Sequence, residues 1–199
     1  MIRFHTLAAV ALSSIAITSA AFAQEARVNV RGVITAFDGK TLSVKSKTGI
    51  DMVIDLPETA TVATTKAFAL ADVKPGMALG VTTIKRADGA IVAIDVRPIP
   101  PAAPQGLSPW DLAPDAVMTN AVVEGTVATA NGQEITLNYK TGTVKALVVP
   151  ETAMSQSVPG DRSDLKVGET VFVFARKGAD DKIVAARVQV SRDGIKPTQ

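Results

Sequence analysis

The chain of 199 residues carries 21 basic and 19 acidic side chains, a single histidine and no cysteine. Charges this evenly balanced give no strong field to attract nucleic acid or an anionic membrane. Because the only histidine is His5, the rest of the chain lacks the residues for Ser-His-Asp or Cys-His catalysis and for the common zinc sites. We therefore expect a protein that is not an enzyme, with no catalytic residue, no bound cofactor and no dedicated metal site.

The first 23 residues have the pattern of a secretory signal peptide. Arg3 and His5 precede an apolar run over residues 7–17, and small residues end at Ala21-Phe22-Ala23. This predicts cleavage before Gln24. The apolar run is too short to cross a bilayer as a helix. We expect an exported protein, periplasmic or secreted, with no transmembrane segment after removal of residues 1–23.

The rest of the chain contains two copies of one unit. Gly32 matches Gly125, and the tetrapeptide at 57–60, PETA, recurs at 150–153; both separations are 93 (125 − 32). Further on, VAIDV at 92–96 matches VAARV at 184–188 with a separation of 92 (184 − 92), so one residue has been lost in between. Duplication explains this spacing, and self-similarity at a fixed period predicts repeated structural units.

Each copy reads as a set of short strands. In the first copy, residues alternate in period two from Val28, Asp-Gly makes a tight turn at 38–39, and Pro57 ends a third strand. Residues 65–71, TKAFALA, predict a short helix, and two further strands follow. The second copy repeats this plan, except that residues 154–163 lack the helical signal and predict a loop.

Five strands with a helix between the third and fourth is the plan of the OB-fold, a small Greek-key barrel. An SH3-like barrel or a small sandwich is the alternative. We therefore predict an all-β protein with two tandem OB-like barrels, at 24–97 and 121–191, joined by a proline-rich linker at 98–120. Residues 192–199 form a C-terminal tail.

The segments VRGVI at 30–34, DGKTLSV at 38–44 and LKVGETV at 165–171 resemble a domain-of-unknown-function family of exported bacterial proteins, often found in tandem. The resemblance covers both copies. It implies an OB-like fold, an envelope location and a binding or envelope-associated role, and it implies no catalytic residue.

The linker is the one substantial segment without a duplicate, and it holds the only tryptophan, Trp110. Together with Leu112, Val117 and Met118 it makes an apolar strip. Trp is favoured where proteins make contacts. We therefore predict that Trp110, Leu112 and Met118 either lock the two barrels together, which we favour, or bind a partner.

Two functions fit these features. The first is a non-enzymatic binding or structural module of the bacterial envelope, whose partner is an envelope protein or a small ligand. The alternative is a soft-metal protein that binds Cu(I) or Ag(I) through Met77, Met118 and Met154 near Trp110, since thioethers suit soft ions. Nucleic acid is not an expected partner, because single-strand binders need stacking aromatics along a basic groove.

Overall fold

The computed structural model describes residues 26–130, 132–178 and 180–198, so the expected signal peptide at 1–23 lies outside the described residues. Within these ranges the protein is all-β, as predicted, with two 3₁₀ helices at Leu70–Asp72 and Arg162–Asp164. The strands are β1 (Ala26–Phe37), β2 (Thr41–Ser46), β3 (Asp51–Asp55), β4 (Thr61–Ala67), β5 (Ala78–Lys85), β6 (Ile91–Pro98), β7 (Gly106–Pro109), β8 (Val117–Thr129), β9 (Gly132–Tyr139), β10 (Gly142–Pro159), β11 (Thr170–Lys177) and β12 (Ile183–Val190). Among the described residues, no helix is both long and apolar enough to cross a membrane.

Five strands close into a barrel, which we call ring A. Its order is β1-β2-β3-β12-β11, and β11 pairs again with β1. The pairing of β3 with β12 is parallel, whereas the other four are antiparallel. The barrel therefore takes three strands from the first copy of the repeat and two from the second.

Three strands of the second copy and two of the first form a second closed set of five strands, which we call ring B. Its order is β8-β9-β10-β6-β5, returning to β8. Here the parallel pair is β10 with β6. We expected each copy to close a barrel of its own, at 24–97 and 121–191; the strand pairing instead gives each ring the last two strands of the other copy.

The exchanged strand pairs cross where β4 meets the end of β10. These strands run antiparallel with Thr65 opposite Ser157, which is its equivalent in the repeat at a separation of 92 (157 − 65). The flanking pairs are Thr64 with Val158 and Lys66 with Gln156, and each pair is the repeat equivalent of the other at the same separation of 92. The crossing therefore lies on an approximate two-fold axis that relates the two copies.

Each ring encloses its own apolar core. In ring A the fully buried side chains include Leu42 and Val188, and in ring B they include Leu79 and Leu137. Alternate residues along the strands point inward, which follows from the period-two pattern. Both cores thus mix residues from the two copies.

Two local predictions were wrong. Residues 65–71 do not form a helix: β4 continues to Ala67, and only Leu70–Asp72 makes a 3₁₀ turn. The predicted loop at 154–163 is mostly strand, because β10 extends to Pro159. Both segments gain backbone partners at the crossing, from each other and from β12 or β6, and this tertiary pairing outweighs local preference.

Gly32 marks a close approach between β1 and β2. A Cβ atom built at Gly32 would lie 2.2 Å from the carbonyl oxygen of Lys45, whereas one built at the equivalent Gly125 meets no atom within 4 Å. Backbone atoms cannot yield as a flexible side chain can. The first copy therefore requires glycine at this position for packing.

We predict that Gly32→Ala destabilises the protein by about 1–3 kcal/mol, the usual cost of overpacking, while Gly125→Ala changes the free energy of unfolding by no more than about 0.5 kcal/mol. Urea denaturation of both variants measures this. Equal effects at the two positions would contradict the close approach.

Candidate functional site

The linker at 98–120 lies against both rings. Its strand β7 adds to the edge of ring B through β8, with Gly106 opposite Asn120 and Pro109 opposite Val117. Proline is tolerated at such an edge because no strand needs its missing N–H. The chain leaves this edge at Trp110, whose backbone N–H donates to the backbone carbonyl of Ala116 at 2.8 Å. This bond holds the Trp110 turn over the neighbouring strands.

Asp111, next to Trp110, fastens the linker to ring A. The Arg31 guanidinium on β1 donates to both Asp111 carboxylate oxygens, at 2.8 and 2.9 Å, and Asn29 Nδ2 lies 3.3 Å from each of them. Arg31 in turn lies over the Phe172 ring, 4.5 Å from its centroid. A bidentate arginine–carboxylate pair has strong directional preference, so this contact fixes where the linker crosses.

A second ion pair is buried on ring B. Asp95 and Arg97, both on β6, form a salt bridge in which the Asp95 side chain is fully buried and Arg97 nearly so. Thr198, in the C-terminal tail that follows ring A, donates to the other Asp95 oxygen. Burial raises the pKa of the Asp95 carboxyl and lowers the pKa of Arg97. The attraction between the two charges acts in the opposite direction on each pKa and is the smaller effect. Such a pair contributes position more than stability.

Trp110 and Met118 both contact Arg97. The guanidinium carbon lies 6.0 Å from the Trp110 ring, at the outer limit of a cation–π contact. One Arg97 nitrogen lies 3.2 Å from Met118 Sδ. Trp110 Nε1 is buried and has no hydrogen-bond partner in the described part of the chain. Trp110 and Met118, which the sequence predicted as contact residues, therefore both lie against the buried guanidinium of Arg97.

The three methionines considered for soft metal occupy different environments. Met118 lies against Arg97, whose charge opposes a nearby metal cation, while Met77 Sδ accepts from the N–H of Lys74 and Met154 packs against the core of ring B. No cluster of three or more His, Cys, Asp or Glu suited to a metal occurs in residues 26–130, 132–178 and 180–198. The Cu(I) or Ag(I) alternative stays a prediction.

Leu112 lines a cleft of about 450 Å³ between the rings. Ring A contributes Arg31 and Val33 among others, ring B contributes Ile94, and the tail contributes Lys196. The full lining is Arg31, Gly32, Val33, Lys47, Ile94, Leu112, Thr170, Val171, Lys196, Pro197 and Thr198. We call this the inter-ring cleft; its lining, as far as the chain is described, has three cationic side chains and no carboxylate.

The cations of the cleft are not equivalent. Arg31 is neutralised by Asp111, but in the described residues neither Lys47 nor Lys196 forms a salt bridge. The remaining walls are mainly aliphatic, from residues such as Val33 and Val171. A largely apolar cleft with two unpaired ammonium groups suits an apolar molecule that carries negative charge.

Sequence reasoning found the linker residues and missed their partners. In the sequence, Arg97, Lys47 and Asp95 lie in strand-like segments, and no motif there marks them as site residues. The repeat offers one signal: Asp95 is equivalent to Arg187, so the sign of the charge reverses between copies. A reversed charge at equivalent positions of a duplicated strand indicates that the two strands face different surroundings.

No protein-family model matches the chain, and no match is found among curated proteins or solved structures.

We predict a pH dependence for the linker contact. Hydrogen bonds from Arg31 hold the pKa of Asp111 below its usual range, so the contact stabilises the linker above about pH 4 and is lost as the pH falls through the lowered pKa. Asp111 is 51% exposed, so the contribution is no more than about 1 kcal/mol. Trp110 emission, the only tryptophan signal, should shift to the red on acidification before the β-sheet circular dichroism changes.

Asp111→Asn is the matched variant for this titration. It should show the shifted emission already at neutral pH and lose the acid transition. An unchanged acid transition in Asp111→Asn would show that another group controls the environment of Trp110.

Proposed function

We propose that the protein is a non-enzymatic binding module of the bacterial envelope, exported by the segment at 1–23 and built from two OB-like barrels. We propose further that the inter-ring cleft binds a small amphipathic anion, such as a short aliphatic carboxylate. The cleft carries this proposal: it has about 450 Å³ with aliphatic walls, and neither Lys47 nor Lys196 has a carboxylate partner among the described residues.

The OB-like assignment is supported by strand order. If β1, β2 and β3 are counted as strands 1 to 3 of ring A, and β11 and β12 as strands 4 and 5, the order around the barrel is 1-2-3-5-4. Strand 4 pairs again with strand 1, and strands 3 and 5 are parallel. This is the strand order of an OB barrel, and ring B has the same one. OB barrels carry many unrelated functions, so the fold alone does not select the ligand.

The chemistry of the cleft selects an amphipathic anion over other ligands. Ligand sites of a few hundred Å³ are mostly apolar with a few oriented polar groups, and the inter-ring cleft has this composition. Its two unpaired ammonium groups favour an anion over a cation or a neutral molecule. An aliphatic chain would replace water along Val33, Ile94 and Leu112, and each buried methylene contributes about 0.8 kcal/mol.

A non-enzymatic role is consistent with the groups around the cleft. In the described lining, the polar side chains are cations and threonines, with no carboxylate that could act as a base. Asp95, the described carboxyl whose pKa is raised by burial, lies against Arg97 and is not part of the cleft lining. Altered ionisation of this kind accompanies structural ion pairs as well as catalytic groups.

We predict saturable binding of octanoate, measured by calorimetric titration of the protein, and weaker binding of octanol, which has the chain without the charge. The double variant Lys47→Gln/Lys196→Gln should bind octanoate about tenfold more weakly, since each screened ion contact contributes up to about 1 kcal/mol. Octanol binding should not change.

The matched control is Lys74→Gln/Lys85→Gln, which removes two exposed lysines away from the cleft. It should bind octanoate as the unmodified protein does. Equal weakening in both double variants would mean that net charge, and not the cleft, controls binding; absence of saturable binding would exclude the proposed ligand class.

A further inference from the structure

Arg187 on β12 is a partly buried arginine that has no counter-ion within residues 26–130, 132–178 and 180–198. Its Nη2 donates to Ser157 Oγ at 2.5 Å, and among the described residues it forms no salt bridge. Burial lowers the pKa of its guanidinium. A guanidinium has five N–H donors, and charged groups removed from water are normally paired. Arg187 therefore has donors and a charge that the described part of the chain does not satisfy.

The duplication shows why this arginine lacks a partner. Arg187 occupies the place that Asp95 holds in the first copy, and Gln189 occupies the place of Arg97. In the first copy the two charges neutralise each other as the Asp95–Arg97 pair. In the second copy the aspartate is replaced by arginine and its neighbour is neutral, so the positive charge of Arg187 is uncompensated.

Arg187 faces a separate cavity of about 290 Å³ near the strand crossing. The cavity is lined by Arg97, Pro98, Ile99, Pro100, Ser157 and Arg187. Arg97 is already neutralised by Asp95, and a second of its donors lies against Met118. Among the described residues, Arg187 is the cation of this cavity without a carboxylate partner, and it lies beside the Ser157 hydroxyl at the approximate two-fold axis.

We propose that this cavity is an oxyanion site, in which Arg187 and Ser157 bind a phosphate group. The planar fork of arginine matches two oxygens of such a group, and the serine hydroxyl can donate to a third. The walls formed by Pro98, Ile99 and Pro100 have no side-chain charge to repel it. The site shares no lining residue with the inter-ring cleft, so it stands independently of the proposed function.

Titration of the full chain with inorganic phosphate, at constant ionic strength set by chloride, tests the site. Calorimetry should show saturable binding, with a rise in melting temperature that follows the same saturation. Arg187→Gln should weaken binding at least tenfold, because it removes both the charge and the fork. Arg187→Lys keeps the charge and loses the fork, so its affinity for phosphate should lie between those of the unmodified protein and Arg187→Gln.

Arg86→Gln is the matched control, since it removes the same charge from an exposed hairpin turn. It should leave phosphate binding unchanged. Ser157→Ala, a small change that leaves Arg187 in place, should weaken binding even if Arg187→Gln melts at a lower temperature. Glycerol 3-phosphate in a parallel titration separates the sources: equal affinity indicates a site open to phosphate esters, and binding of phosphate alone indicates the free ion.

Two results would overturn the proposal. One is the absence of saturable phosphate binding to the unmodified protein. The other is binding that Arg187→Gln and Arg86→Gln reduce equally, which would show a general effect of net charge.

Discussion

The antiparallel pairing of β4 with the end of β10 determines the rest of this structure. Because Thr65 lies opposite its own repeat equivalent, Ser157, the two copies can only continue in opposite directions. Each copy therefore sends its last two strands into the ring of the other. Both apolar cores become shared between the halves of the chain, and unfolding one half must open both rings.

Divergence between the two copies explains the charged groups near the boundary between the rings. Two barrels made from equivalent strands could carry equivalent side chains, but Asp95 and Arg97 on β6 correspond to Arg187 and Gln189 on β12. The linker adds Asp111, which binds Arg31. Of these three arginines, two have an aspartate partner, and the unmatched charge remains on Arg187. Divergence between the copies, more than the duplicated pattern, thus created the surfaces with chemical character. The inter-ring cleft and the Arg187 cavity both lie along this boundary.

Sequence reasoning predicted an all-β protein and most strands of the two rings, because period-two alternation and turn residues act locally, but it missed β4, β7 and the end of β10. It could not predict which copy completes which ring. Strands β5 and β11 carry the same pattern, so the local sequence does not decide which of them pairs with β1.

The helix predicted at 65–71 was wrong for a related reason. Thr61, Thr64 and Thr65 are β-branched, and the pairing partners that favour a strand lie more than eighty residues away. Trp110, Leu112 and Met118 were identified because they are unique to the linker, whereas their partners were hidden in duplicated strands.

A disulfide test addresses the exchange most directly, since the chain has no cysteine of its own. Val33 on β1 lies opposite Thr170 on β11, and the repeat equivalent of Thr170 is Ala78 (170 − 92). Directly opposite residues on antiparallel strands approach within disulfide reach. Mass spectrometry of the oxidised monomer should find a disulfide in Val33→Cys/Thr170→Cys and free thiols in Val33→Cys/Ala78→Cys. The reverse result, with residue 33 bridged to residue 78 and not to residue 170, would show that each copy closes its own barrel and would contradict the exchange.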